Sequence, residues 1–192
     1  ELRDAARAAG QTPVLAEKYE AAMKAAIQIR LRMVDAGIVL DGESEVGIEW
    51  TETMFDRTVI CRGMFDHFIE SRGILYDLKC TESARPDAWA RKAIAYGADI
   101  QAAAYVRALE QQHPELAGRV SFEWILVEPE PPYAVVLGKP DGAMREFGKR
   151  RWERAVNTWG ACLAENMWPG YSVHEYLSPP GWALAMEGIE AE

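Results

Sequence analysis

The stretch that decides the fold runs from Cys61 to Tyr105. It reads CRGMFD over 61–66, YDLKCT over 76–81 and GADIQAAAY over 97–105. Thr58 to Ile69 and Ile74 to Thr81 have the short, alternating, β-branched and aromatic character of strands, and Ser71-Arg72-Gly73 between them reads as a hairpin connection. Pro86 opens a helix expected to run to about Gln112, where His113-Pro114 ends it. Asp66, Asp77 and Lys79 therefore fall on two adjacent strands. Gln101 and Tyr105 follow on the helix, four apart and so on one face.

Working outward, Glu45 to Trp50 alternates loosely and suits an earlier strand. Thr12-Pro13 reads as an N-cap followed by Pro in the first turn. Strong helix formers then continue to about Ala36, with Leu15, Tyr19, Met23, Ile27 and Leu31 near helical period and Gly37 as the stop. Downstream, Arg119 to Val127 reads as a buried strand and Tyr133 to Leu137 as the next. Pro140 to about Asn166 reads as a long helix. From Trp168 onward Pro and Gly dominate, and the tail is expected to be irregular and to pack by its aromatics. No linker or repeat divides the chain, so one domain is expected over 1–192. The order predicts an α/β fold: a mixed central sheet of about five strands flanked by helices.

Composition narrows the class. At 192 residues with 49% apolar content, the chain can bury a core. No apolar run reaches membrane-spanning length. The polar opening ELRDAARAAG shows no signal peptide, and its lack of Met suggests a C-terminal fragment of a longer chain. Three cysteines without a CxxC pair count against a disulfide framework, a zinc site or an iron–sulfur cluster and fit the cytoplasm. The net charge of −9 opposes nonspecific coating of DNA. It leaves room for a local basic groove, for which Lys149-Arg150-Arg151 with Arg154, and Arg85 with Arg91-Lys92, are the candidates.

The chemistry lies in the spacing. Pairing counted outward from a tight turn at Ser71-Arg72 sets Asp66 opposite Asp77, with Cβ atoms about 5 Å apart. Two like charges so close call for a cation, and Mg²⁺ is satisfied by one or two carboxylates plus water and phosphate oxygens. Ser-Arg is not a favoured two-residue turn, and a shift of one residue would send one Asp to the other face. Asp77 and Lys79, two apart, share a strand face, so Lys79 can orient the attacking water and offset charge on a phosphate. Gln101 and Tyr105 could bond a phosphate backbone or fix Lys79, and Glu45 is a candidate ligand for a second metal. His67, next to Asp66, alternates to the opposite face and reads as structural. A D-x-K in a strand is by itself usually a solvated face; the ordered set is what points to metal-dependent phosphoryl chemistry.

In these residues the chain resembles the PD-(D/E)xK nuclease superfamily, and within it the RecE-type (exodeoxyribonuclease VIII) branch of phages and prophages. The resemblance covers Glu45 to the C-terminus. It rests on E-x-x-I-x-W (Glu45, Ile48, Trp50), C-R-x-x-x-D (Cys61, Arg62, Asp66), D-h-K-x-T (Asp77, Leu78, Lys79, Thr81), Q-x-x-x-Y (Gln101, Tyr105) and the tail WPGY…LSPPGWA (Trp168, Pro169, Leu177, Pro179, Trp182). It implies a restriction-endonuclease-like core and hydrolysis of linear double-stranded DNA from its ends, 5′-to-3′, with Mg²⁺ or Mn²⁺, in phage-type recombination. Asp66, Asp77 and the carbonyl of Leu78 would bind metal, with Lys79 catalytic. Gln101 and Tyr105 would support the lysine and DNA, and Glu45 would serve a second metal or the DNA end. The resemblance also implies a homo-oligomeric ring and a single-strand annealing partner. Met64 stands where relatives often carry a basic residue, Cys80 where Thr is usual, and a family histidine has no counterpart before Glu45. The rival readings are a RecB-like nuclease acting on single-stranded DNA and an inactive nuclease-like domain that binds DNA or protein.

Overall fold

In the computed structural model, which describes residues 2–54, 57–174 and 177–188, five strands form one sheet in the order β1-β2-β3-β4-β5. They are β1 (Glu43–Met54), β2 (Arg57–Ile69), β3 (Ile74–Cys80), β4 (Ser121–Val127) and β5 (Val135–Gly138). Six helices accompany them: α1 (Leu2–Ala8), α2 (Ala16–Asp35), α3 (Pro86–Tyr96), α4 (Ala98–Gln112), α5 (Gly142–Glu165) and α6 (Gly181–Met186). All neighbours pair antiparallel except β3 and β4, which run parallel. A parallel step needs a long crossover, and α3 and α4 supply it. This is the mixed α/β sheet that the order of elements predicts. Among the described residues no helix is long and apolar enough to cross a membrane.

The expected single helix from Pro86 to Gln112 is two. Gly97, at φ +74°, caps α3 in the left-handed conformation and starts α4. Only glycine takes that conformation without a Cβ clash, so the chain can turn there.

Two cores form, one on each face of the sheet. Phe65, Phe68, Leu75, Phe122 and Trp124 pack with Trp89 of α3 and Ala102 and Leu109 of α4. Ile69, Tyr76, Ile125 and Val127 pack with Ala25 and Met33 of α2 on the other face. α2 begins at Ala16, with Leu15 rather than Thr12 at the capping position. Its periodic stripe Leu15, Tyr19, Met23, Ile27 and Leu31 is exposed. Period tells which residues share a face, but the sheet selects the side that carries the small Ala25.

Asp141 caps α5, its Oδ1 accepting from the Met144 N–H at 2.8 Å. At Gly148 the helix comes so close to α4 that a Cβ would lie 2.3 Å from the Asp99 carbonyl oxygen. The tail departs from expectation. It contains the short helix α6, and Tyr171, Leu177 and Trp182 are exposed rather than packed. Trp168 does stack edge-on against Trp159, with centroids 4.8 Å apart.

One irregularity positions the site. Phe65 and Phe68 lie three apart yet join the same core, so the alternation of β2 breaks at Asp66. Opposite it, Glu45 of β1 takes φ +56° and drops out of the pairing, while Ser44 pairs with His67 and Val46 with Phe65. The two strands thus switch faces together and keep their register. Pairing of β2 with β3 is confined to Ile69–Ile74, Phe68–Leu75 and His67–Tyr76. That is the register which, one step on, sets Asp66 opposite Asp77. The connection itself is a helical turn, Glu70–Arg72, closed by Gly73 at φ +63°, not a two-residue turn.

Candidate active site

β3 carries the centre. Asp77 shares the helix-covered face with its neighbour Leu75, and it is 2% exposed. The Lys79 Nζ lies 2.7 Å from Asp77 Oδ2, and Gln101 of α4 donates through Nε2 to Oδ1 at 3.1 Å. Oδ2 has the ion pair but no aligned hydrogen bond. Burial pushes the Asp77 pKa above its ordinary value. Lys79 and Gln101 work against that rise, and the charge of Asp66 adds to it.

Asp66 reaches the same strand. Past His67–Tyr76 the ladder stops, and the Leu78 N–H donates to Asp66 Oδ2 at 2.7 Å. A side-chain oxygen thus accepts the main-chain donor where the ladder has ended. Leu78, between Asp77 and Lys79, is exposed.

Tyr105 has a different neighbour from the expected one. Its hydroxyl accepts from the Met64 N–H at 3.4 Å, and its ring meets Phe65 edge-on at 5.0 Å. It fits under Gly63, where a Cβ would lie 2.6 Å from the ring. Tyr105 therefore braces β2 beside Asp66, and Gln101 holds Asp77; neither is bonded to Lys79. Tyr105→Phe loses one long hydrogen bond, so it is expected to cost no more than about 1 kcal/mol in urea unfolding and to keep the ring's support. Gly63→Leu drives the ring out and is expected to lower the melting temperature well below that of Tyr105→Phe.

Glu45 is not gathered with the two aspartates. It is exposed at its distorted position, and among the described residues no group of three His, Cys, Asp or Glu side chains is close enough to hold a metal ion. The expected basic patches are largely paired internally. Arg150 bonds Glu146, Arg151 bonds Asp99, and Arg85 and Arg91 share Asp87. Sequence reasoning overlooked Glu52, which is 4% exposed. Its Oε1 accepts from Trp50 Nε1 and Trp152 Nε1, each at 3.2 Å, and from Arg107. Alternation with Trp50 on β1 is the signal that could have found it. Lys92, 3.4 Å from Thr81 Oγ1, brings a second amine near the end of β3.

The donor set suits a hard divalent cation. Two carboxylates stand together, and the partner of buried Asp77 Oδ2 is the ammonium of Lys79, a part-exposed side chain that can swing away. Water and phosphate oxygens would complete the shell, as Mg²⁺ prefers. A testable consequence concerns pH. Because folding raises the Asp77 pKa, the native chain keeps this proton to higher pH than the unfolded chain does. The contribution of Asp77 is therefore largest below its unfolded pKa and is lost as pH rises through the folded value. Asp77→Asn is expected to melt higher than wild type at neutral pH without metal; an unchanged or lower melting temperature would contradict the burial cost.

No curated protein matches the chain. A crystal structure of a candidate exonuclease from Eubacterium rectale superposes with a TM-score of 0.59 at 13% identity, over 88% of this chain and 65% of that one. This likeness is one of fold, and the chain spans just under two thirds of that relative's length. A phage-related exonuclease from Haemophilus somnus aligns at 18% identity over 82% of this chain and 78% of that one, with a TM-score of 0.40. A family profile described as a PDDEXK-like domain of unknown function, DUF3799, matches residues 5–177. With nearly the whole domain matched, sheet and carboxylate centre included, the chain belongs to the PDDEXK-like family DUF3799.

Proposed function

We propose that this domain is a divalent-metal-dependent DNA exonuclease that hydrolyses linear duplex, with Mg²⁺ or Mn²⁺ as the ion. One observation carries the reading: a buried carboxylate, Asp77, held between Lys79 and Gln101 with Asp66 anchored beside it, on the β3 strand of a PDDEXK-like domain. Asp66 and Asp77, with the Leu78 carbonyl, would hold the ion. Lys79 is half-buried, so its ammonium can leave Asp77 to orient a water and neutralise a phosphate oxygen. Gln101 keeps Asp77 aimed, and Tyr105 keeps the Asp66 segment of β2 in place. When bound, a divalent ion would lower the pKa of a coordinated water and offset charge on the scissile phosphate. The 5′-to-3′ polarity, a ring-shaped oligomer and an annealing partner belong to this proposal through the RecE-type resemblance.

The test compares end-labelled linear duplex, single-stranded and closed circular DNA with Mg²⁺ or Mn²⁺. Shortening of linear duplex from the 5′ end is expected, with circles intact. Cutting of circles would reject the exonuclease reading, and preference for single strands would favour a RecB-like activity. No loss of any DNA under either ion would leave a binding domain.

A further inference from the structure

On the side of α4 away from Asp77 lies a second concavity, of about 540 Å³, between α4, α5, the start of β4 and the end of β5. None of Asp66, Asp77, Lys79, Gln101 or Tyr105 lines it. Val106, Phe122, Met144 and Trp152 give it apolar walls, and five cations reach it. Two of these are taken: Arg107 pairs with Glu52, and Lys139 lies 3.6 Å from Glu123. Arg119 rests on the main-chain carbonyl of Glu115. Among the described residues Arg145 donates to the Pro140 carbonyl, at 3.2 Å, and Lys149 feels the charge of Glu146 without closing an ion pair with it. Of the acidic residues at the rim, Asp99 is neutralised by Arg151, Glu110 accepts from the Gly118 N–H, and Glu153 sits near Arg107.

In a chain of net charge −9, five cations against three carboxylates at a concave apolar surface are a local reversal of sign that concentrates anions. The volume lies in the range of small-molecule sites, about 300–1,000 Å³. Apolar walls suit a flat ring, and the neighbouring Arg145 and Lys149 suit a phosphate. We propose that this cavity binds a nucleoside 5′-phosphate, either a free mononucleotide or the terminal nucleotide of a DNA strand. The choice of a nucleotide among amphiphilic anions rests on the nuclease reading.

The test is titration calorimetry on the whole chain at low salt without metal. Deoxyadenosine monophosphate is expected to bind, and deoxyadenosine, which lacks the phosphate, is not. Arg145→Glu and Lys149→Glu, both exposed on α5, should each weaken binding by about tenfold or more, the value of one hydrogen bond to a charged group. Asp77→Ala should bind as wild type does. Competition by a short 5′-phosphorylated strand, but not its 5′-hydroxyl form, would assign the cavity to a strand terminus; failure to compete would assign it to the free mononucleotide. The proposal is overturned if the monophosphate does not bind, or if it binds both reversed-charge variants as tightly as wild type. Bound monophosphate in a protein that degrades no DNA would sink the nuclease reading alone.

Discussion

Lys79→Ala is expected to reduce metal-dependent degradation of linear duplex by at least about a hundredfold, the usual scale for removing a positioned proton-transfer or charge-stabilising group. Among the described residues Lys79 is the cation that pairs with Asp77, and the nearby Lys92 amine is directed to Thr81 instead. Asp77→Ala removes the buried carboxylate of the proposed site and should be as severe. Circular dichroism should show both variants folded, because the Lys79 side chain is 29% exposed and the Asp77 carboxylate is itself costly to bury. A Lys79→Ala or Asp77→Ala protein with wild-type rates would place the chemistry elsewhere. Asp66→Ala should be less stable than wild type by about 1 kcal/mol or more, since it also leaves the Leu78 N–H without its acceptor.

Arg151→Met carries the largest expected effect on stability. The Asp99 side chain is fully buried, and Arg151 Nη1 donates to both of its oxygens at 2.8 and 2.9 Å and to the Ile94 carbonyl at 2.9 Å. Stripping one partner from a buried pair leaves an uncompensated charge and costs about 3–5 kcal/mol. A typical domain holds about 5–15 kcal/mol in all, so the variant should unfold at much lower urea concentration. Asp99→Leu combined with Arg151→Met should recover much of the loss, because no lone charge then remains. A single-variant cost below about 1 kcal/mol would mean that Asp99 finds water when Arg151 leaves. Asp99 lies two residues before Gln101 on α4, so this pair also holds the helix that aims Asp77.

What could be read from sequence follows physical locality. The β2–β3 register was legible because alternation and the short connection constrain it jointly, even though the turn is built differently from the one assumed. Asp77 and Lys79 share a face because the strand period is two. The spacing puts Gln101 on one helix face with Tyr105, but its bond to Asp77 rather than Lys79 depends on side-chain reach, which spacing does not encode. The break at Gly97 was missed because an isolated glycine inside a helical pattern is often tolerated. The exposed α2 stripe and the buried Glu52 were missed for one reason. Burial is decided by partners far away in sequence, Trp152 lying a hundred residues from Glu52. The tail misled because aromatic content was taken to imply packing, whereas Tyr171 and Leu177 contact solvent.

The paired switch at Glu45 and Asp66 has a mechanical consequence. Beyond it the β1–β2 hairpin is a two-stranded ribbon, Val46 to Met54 against Arg57 to Phe65, and β2 shares no ladder with β3 in that length. Among the described residues the ribbon is bonded to β3 at this level through Leu78 N–H to Asp66, while α4 and α5 hold it along its length through Tyr105, Gln111, Gln112 and the Arg107 and Trp152 bonds to Glu52. The helices rather than the sheet therefore set the pitch of this arm, whose root is Asp66. A change in how α4 and α5 seat the arm would alter the gap between Asp66 and Asp77 while every strand pair stays intact.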